Sequence, residues 1–463
     1  MSLMVSISGI RGIVGETLTP EVVMQYAAGF AEYCQRRLPN NSTVVIGRDG
    51  RLTGGMILDV SAGVLAAKGM TVRIIDICPT PTVQLAVERG GAAGGIAVTA
   101  SHNPIEWNGM KFIASSGMFL NAEENKEFWN LATSEQTYPT WEGVGKTVTD
   151  SVWIRKHIDA VLGLPILNPA RIRRRGFTIV LDCINAAGGV IVPQLLSELG
   201  CTVIPMNCDV SGVFARTPEP IPENLGAVAR QVSASKADLG IVVDPDVDRL
   251  VLINERGEPY GEEYTIATAI DFVLANAKKS PGILGSAGTM SVVANLSTTR
   301  AVDDIAARYG AVSHRTPVGE INVARRMKQE GSIIGGEGSG GVILPAVHLG
   351  RDAIVGIALI LQALADSGKT LSELKRSLPE YHIAKGKIPL GAANPDDVMH
   401  RLERRYSSSA RVNKEDGIKF DFEESWVHLR KSNTEPIMRI IAEAKTTQAA
   451  KRTVEEITKE IQQ

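Results

Sequence analysis

The five cysteines of this 463-residue chain (Cys34, Cys78, Cys183, Cys201 and Cys208) are scattered, and none forms a Cys-x-x-Cys pair. An odd, dispersed set argues against a disulfide framework and suits reduced thiols in the cytoplasm. Charge of one sign is also missing: 49 Lys and Arg face 51 Asp and Glu. That balance gives no global pull toward nucleic acid or a membrane, so any anion site must be local. Long apolar runs are absent too. The longest, Ile354 to Leu361, is too short to cross a bilayer and reads as a core helix. The N-terminus has no basic head followed by a long apolar segment, so no export signal is expected. None of this fixes an oligomeric state; monomer and dimer are both compatible.

What the chain does have is apolar mass, 44% of its residues, and a length that predicts three or four domains. Short apolar runs repeatedly end in polar or glycine-rich loops that lead into helices. Val44 to Ile46 runs into Gly47-Arg48-Asp49-Gly50-Arg51, and Val72 to Ile75 into Pro79-Thr80-Pro81. Thr178 to Leu181 runs into Asp182-Cys183-Ile184-Asn185, and Ser332 to Ile334 into Gly335-Gly336-Glu337. This alternation predicts α/β domains whose sheets are largely parallel and covered on both faces. Thr19-Pro20-Glu21 reads as a helix start with Thr19 as cap. The basic run Arg171 to Arg175 reads as a solvated approach to a strand. From about Ile388 the pattern changes to alternating strands and a closing helix, which predicts a smaller α+β unit. The expected domains are 1–152, 153–253, 254–370 and 371–463.

Four loops carry chemistry. In Thr99-Ala100-Ser101-His102-Asn103-Pro104, a serine follows the buried strand Ile96 to Val98, and Asn103-Pro104 forces a turn. In Asp244-Pro245-Asp246-Val247-Asp248-Arg249, three carboxylates at alternate positions are expected on one side of an extended segment. Unpaired they repel one another, and a divalent cation with a taste for hard oxygen ligands, magnesium, relieves this. The run resembles an EF-hand loop in outline, with Glu255 at the twelfth place. Arg249 stands where that loop needs glycine, however, and strands flank it, which excludes the reading. Gly335 to Gly341 is a glycine loop in which Glu337 and Ser339 can hydrogen-bond hydroxyls. Arg430-Lys431-Ser432-Asn433-Thr434-Glu435-Pro436, with Arg439 nearby, has the donors of a phosphate cup.

In this order and across essentially the whole chain, these loops resemble those of the α-D-phosphohexomutases. The Ser101 loop matches that family's phosphoserine loop and Asp244 to Arg249 its metal loop. Gly336 to Gly341 is similar to its sugar loop, and Arg430 to Pro436 to its phosphate loop. Gly9-Ile10-Arg11-Gly12, Gly47-Arg48-Asp49 and Thr316-Pro317-Val318-Gly319 resemble secondary signatures. The resemblance implies three similar α/β domains with mixed sheets and a smaller C-terminal α+β domain, arranged around a central cleft. It implies that hexose 6-phosphate and hexose 1-phosphate are interconverted through a phosphorylated Ser101, with a hexose 1,6-bisphosphate as intermediate and activator. Arg11, His102 and Lys111 are then expected to assist Ser101. One Mg2+ is expected on Ser101, Asp244, Asp246 and Asp248. Substrate binding is expected from Arg249, Thr316, Gly319, Glu337, Ser339, Arg430, Ser432, Asn433, Thr434 and Arg439.

The chain departs from the family pattern at two places. Gly341 ends the sugar loop where many members carry histidine, for which His348 is a candidate substitute, and Glu320 follows Val318-Gly319 where some members place a basic or other polar residue. With a glycine-ended loop and Ser-Asn-Thr in the phosphate loop, the reading leans to glucosamine phosphate, the alternative being mannose and glucose phosphates. Two readings from other classes share these residues. A phosphoserine-type sugar phosphatase would release inorganic phosphate, whereas a sugar-phosphate sensor would need neither Ser101 nor the aspartates.

Overall fold

The computed structural model describes residues 3–285, 290–389, 394–431 and 437–462. It contains four sheets, and three of them share one pattern. In the second, Thr202–Met206, Thr178–Asp182 and Leu239–Val243 run parallel, and Leu250–Asn254 pairs antiparallel at the edge. In the third, Val312–Thr316, Ser291–Asn295 and Ile334–Glu337 are parallel, with Gly341–Ile343 antiparallel. The first repeats this with Thr71–Ile77, Thr43–Arg48 and Gly94–Val98, then Trp107–Ala114 antiparallel. It adds Met4–Ser6 and Gly9–Ile13 beyond that edge and Lys146–Thr149 at the other, making seven strands. The sheets are therefore mixed. The strands linked through crossover helices run parallel, the edge strands Thr202–Met206 and Val312–Thr316 included, and the strand that follows the last of them by a short loop turns back antiparallel.

The repeat has a consequence for chemistry. In each unit the last parallel strand turns back into the antiparallel edge strand through one short loop. Those three loops carry Ser101, then Asp244 to Asp248, then Glu337 to Gly340. A loop at the carboxyl end of a buried parallel strand has a rigid base and an open top, which is where α/β sheets place ligands.

The inner strands are largely apolar and buried because both faces are covered. Leu239–Val243 and Ser291–Asn295 are buried at every position. The second and third units share one continuous core, in which Leu181, Leu250, Ile266, Val292 and Ile360 all take part. The helix Ala353–Ser367 is buried from Ala353 through Leu364, as its apolar run implies. The fourth sheet is wholly antiparallel, in the order His382–Pro389, Ile437–Ala444, Trp426–Lys431, Ile418–Asp421, Arg411–Asn413. It is covered by the helices Pro395–Tyr406 and Thr447–Gln462 and keeps a separate core around Phe420, Leu429 and Ile440.

Three local expectations are corrected. The run Arg171 to Arg175 lies in the helix Pro169–Arg175, capped by the Asn168 side chain and ended by Gly176 in the left-handed region. Thr19 holds the N-cap position of the helix Pro20–Arg37 as expected, but its side chain makes no capping bond. The Asp244–Asp248 segment is not extended. It is a tight turn between antiparallel strands, with Val247 at φ 60° and the amides of Asp248 and Arg249 both bonded to Asp244 Oδ1 at 3.2 Å. The turn draws the three carboxylates inward together, which an alternating extended strand would not do.

Candidate functional site

Ser101 is buried and held at φ 49°, an uncommon conformation for a residue with a side chain. Its surroundings enforce this. The Ser101 amide donates to Thr99 Oγ1 at 2.8 Å, and the Thr99 hydroxyl donates to Asp49 Oδ2 at 2.6 Å. Arg51, fully buried, donates from Nε to Asp49 at 3.1 Å. Its terminal nitrogens donate to the carbonyls of Ser101, Asn103 and Pro104 at 2.7 Å and of Trp107 at 2.9 Å. One guanidinium thus shapes the whole turn. The Ser101 hydroxyl is left 3.4 Å from Asp244 Oδ2 and 3.4 Å from His102 Nδ1. Burial, reinforced by Arg249 and Arg11, pushes the His102 imidazole down to about 2, so the ring stands neutral beside the serine. Arg11 donates to Asn103 Oδ1 at 3.2 Å, which ties the Gly9–Ile13 strand to this turn.

The three aspartates are buried, and two of them share Lys111. Burial, aggravated by Asp248 and Asp246, raises the Asp244 carboxyl well above its ordinary range. Asp246 Oδ2 accepts from Thr80 Oγ1 at 2.9 Å and from Lys111 Nζ at 2.6 Å. Asp248 Oδ2 accepts from Arg351 at 2.5 Å and from Lys111 at 3.4 Å. Burial alone would raise Asp248, but Arg351, Lys111 and Arg249 outweigh it and hold it well below the usual carboxylate range. Lys111, buried in the strand Trp107–Ala114, is the converse. Burial would lower its ammonium, and the two facing carboxylates raise it.

Asp246 Oδ1 and Asp248 Oδ1 are buried without a hydrogen-bond partner among the described residues. One oxygen from each of the three aspartates lies within 4.8 Å of the others. Three buried carboxylates this close together, two of them with an oxygen that has no partner, are costly unless a cation joins them. The residues therefore fit a hard divalent metal ion.

Beyond this cluster lies a cavity of about 240 Å³ lined by the second, third and fourth units. Arg249, Glu337, Ser339, Arg430 and Arg439 of the sequence-derived set line it. Glu337 is fixed on three sides: Oε1 accepts from Asn295 at 2.7 Å and from the Gly319 amide at 2.9 Å, and Oε2 from Arg351 at 2.8 Å. Arg430 and Arg439 sit directly opposite each other on adjacent strands, a like-charge pair that an anion would relieve. Arg430 is ion-paired with Asp416 at 2.9 Å. Ser432, Asn433 and Thr434 lie outside the described residues. Thr316 lies at the end of its strand with its hydroxyl donating to Pro317 O at 3.0 Å, and it is not among the lining residues.

His348 does not stand in for a residue at 341. It is buried, with Nε2 3.1 Å from Asp352 Oδ2, and His157 Nε2 meets the same oxygen at 2.7 Å. His157 Nδ1 lies 2.8 Å from Thr82 Oγ1, and Asp352 Oδ1 caps the helix that follows. These residues join the first, second and third units away from the cavity. Several cavity-lining residues carried no motif: Arg351, Asn295, Ser297, His428, Glu263 and Lys385. Each is isolated in sequence and enters only through tertiary structure.

Family models cover most of the chain. The three alpha/beta/alpha domains of phosphoglucomutase/phosphomannomutase match residues 4–139, 155–257 and 262–381, and the C-terminal domain matches 392–460. A phosphoglucomutase/phosphomannomutase of Thermococcus kodakarensis is 36% identical over 96% of each chain. A probable phosphoglucosamine mutase of Methanopyrus kandleri is 33% identical over 96% of this chain and 94% of its own. The crystal structure of a putative phosphomannomutase from Thermus thermophilus superposes with a TM-score of 0.84 at 25% identity, covering 100% of this chain and 99% of the other.

Proposed function

The chain belongs to the phosphoglucomutase/phosphomannomutase family, and from that premise we propose that it interconverts hexose 6-phosphates and hexose 1-phosphates by way of a phosphorylated Ser101. The observation that carries the proposal is one distance in one setting. A buried serine hydroxyl, held at an uncommon φ, lies 3.4 Å from the first of three converging aspartates. It belongs to a site whose far wall is a facing pair of arginines.

Each residue follows a physical logic. The Ser101 turn is pre-shaped by Arg51 and Asp49, so the nucleophile needs no rearrangement to meet an incoming phosphoryl group. His102, as a neutral ring, orients the hydroxyl. Lys111 and Arg11 place positive charge beside the transferring oxygens, where negative charge builds. Asp244, Asp246 and Asp248, with the serine phosphate, would hold a divalent cation, which we take to be Mg2+; when bound it neutralises charge on the phosphoryl group. Arg430 and Arg439, with Ser432, Asn433 and Thr434, hold the phosphate that is not reacting. Glu337 and Ser339 read ring hydroxyls beside Arg249, while Gly319, whose amide bonds Glu337, and Thr316 support that wall without lining it. A cup that reads only phosphate, facing a loop that reads only hydroxyls, can accept the sugar in either direction. Two transfers need this, the second returning phosphate to Ser101 from a hexose 1,6-bisphosphate, which also serves as activator. Domains 1–152, 153–253, 254–370 and 371–463 then supply one loop each.

We take glucosamine 6-phosphate and glucosamine 1-phosphate as the preferred pair, with mannose and glucose phosphates as the alternative. The test is a side-by-side assay of the three sugars with magnesium and a trace of hexose bisphosphate, following phosphate release in the same tubes. Isomerisation favouring the amino sugar supports the full reading, and comparable rates with glucose or mannose phosphate keep the mutase and move the substrate. Phosphate release with no isomer formed overturns the mutase.

A further inference from the structure

Two departures in the sequence, Gly341 and Glu320, meet at a single side chain. Arg351 enters from the segment after the sugar loop and is nine-tenths buried. Its Nε donates to Glu320 Oε2 at 3.1 Å, one terminal nitrogen to Glu337 Oε2 at 2.8 Å, and the other to Asp248 Oδ2 at 2.5 Å. A Cβ placed on Gly341 would collide with Arg351 Cδ and fall 2.9 Å from its Cγ. Glycine at 341 is therefore a condition for Arg351 to be there. Glu320, in turn, is held for it from behind, with Gln84 Nε2 donating to its other oxygen at 3.0 Å.

A guanidinium has five N–H donors. Three are spent on carboxylates, which fix its plane, and two have no partner among the described residues while the side chain lines the cavity beside Glu337 and Ser339. We propose that Arg351 is a substrate-contacting, specificity-determining residue. It occupies the volume a side chain at 341 would otherwise fill and donates to a ring hydroxyl of the bound hexose phosphate beside Glu337. The inference rests on the mutase reading above. Glu320 and Gly341 are the residues that make room and set the plane. Because the same guanidinium bonds Asp248, the hydroxyl-reading loop and the aspartate loop keep one fixed separation.

The test uses two variants of the full-length protein. Arg351→Lys keeps a cation among the three carboxylates and loses the planar fork. Gly341→Ala removes no charge and acts only by displacing the guanidinium. KM and kcat would be measured for glucose 1-phosphate and glucosamine 1-phosphate, together with inhibition by inorganic phosphate, which has no ring hydroxyl. The expected result is a rise in KM of about tenfold or more for the sugars in both variants, with phosphate inhibition unchanged. The double variant should be no worse than Arg351→Lys alone. An unchanged KM in either folded variant overturns the assignment, and so does phosphate inhibition that weakens in step with the sugars. A parent protein that isomerises none of the sugars would bring down the mutase reading and this inference with it; variants indifferent beside an active parent would bring down this inference alone.

Discussion

The end of the site that holds Ser101 and the end that holds Arg430 are built differently. Around Ser101 and the three aspartates most polar groups are buried and have a protein partner, apart from Asp246 Oδ1 and Asp248 Oδ1, and the loops that carry them spring from strands of packed sheets. Around Arg430 the contacts among the described residues are fewer, and they belong to a sheet with its own separate core. Its contacts with the third unit include Asp416 and the Val318 amide at 2.8 Å, His428 and Ser297 Oγ at 2.8 Å, Arg300 with Glu443 and neighbouring carbonyls, and the Lys385–Glu262 ion pair. The difference matches the two tasks. Phosphoryl transfer needs geometry fixed in advance, whereas a phosphate that exchanges ends must be grasped and released by something that can move.

The largest effect expected from this contrast is at Ser101. Ser101→Ala should reduce turnover by about three orders of magnitude or more while sugar-phosphate binding, measured by calorimetry, persists. Retained turnover would remove the phosphoserine from the mechanism, and lost binding would mean that the two ends are not separable. Next comes Arg51, which bonds four carbonyls and one carboxylate from a fully buried position. Arg51→Ala leaves Asp49 buried without its cation, a loss of roughly 3–5 kcal/mol, to be read as a shifted urea midpoint at unchanged slope. A much smaller shift would mean that the Ser101 turn is shaped locally and not by this residue.

Arg430→Ala belongs to the other end and should behave otherwise. Loss of a charged bidentate donor should weaken binding of the sugar phosphate by about tenfold to a hundredfold with little change in stability, since Arg430 is partly exposed. Unchanged affinity would count against the phosphate cup.

The same contrast explains what the sequence disclosed. Ser101 and the aspartates stand in contiguous runs, because one turn at a strand end presents all of them, and contiguous runs are legible as motifs. Three α/β units were legible from apolar runs that stop at polar loops. The direction of the edge strands Leu250–Asn254 and Gly341–Ile343 was not, since a buried antiparallel edge strand has the same apolar composition as its parallel neighbours. Arg51 and Arg351 could not be read as organisers, because their partners lie at remote positions in the chain. His348 misled for the reverse reason: it is near Gly341 in sequence, but Asp352 and His157 hold it in the core. The aspartate loop misled only in shape, because bonds from two amides to Asp244 bend it into a turn.

The smallest expected effect tests whether the fourth unit is the looser one. His428 bridges the units, its Nε2–H donating to Asp416 O at 2.6 Å while Nδ1 accepts from the Ser297 hydroxyl. Burial is the main cause that pushes this imidazole down from 6.5 to about 4. With the folded value below the unfolded one, the unfolded or opened form binds more protons between these limits. The contact is therefore at full strength above pH 6.5 and weakens as pH falls toward 4, by about 1 kcal/mol at pH 5.5. Scattering profiles between about pH 7 and pH 5, the window around the unperturbed imidazole, should show the fourth unit moving away before the second and third, which share one core, lose stability. Substituting His428→Gln should flatten that dependence. If all four units instead lost stability together, or if the variant kept the parent's acid response, the contact at His428 would not be the weak joint, and the contrast between a fixed and a yielding end would have to be carried by Arg300 and Glu443.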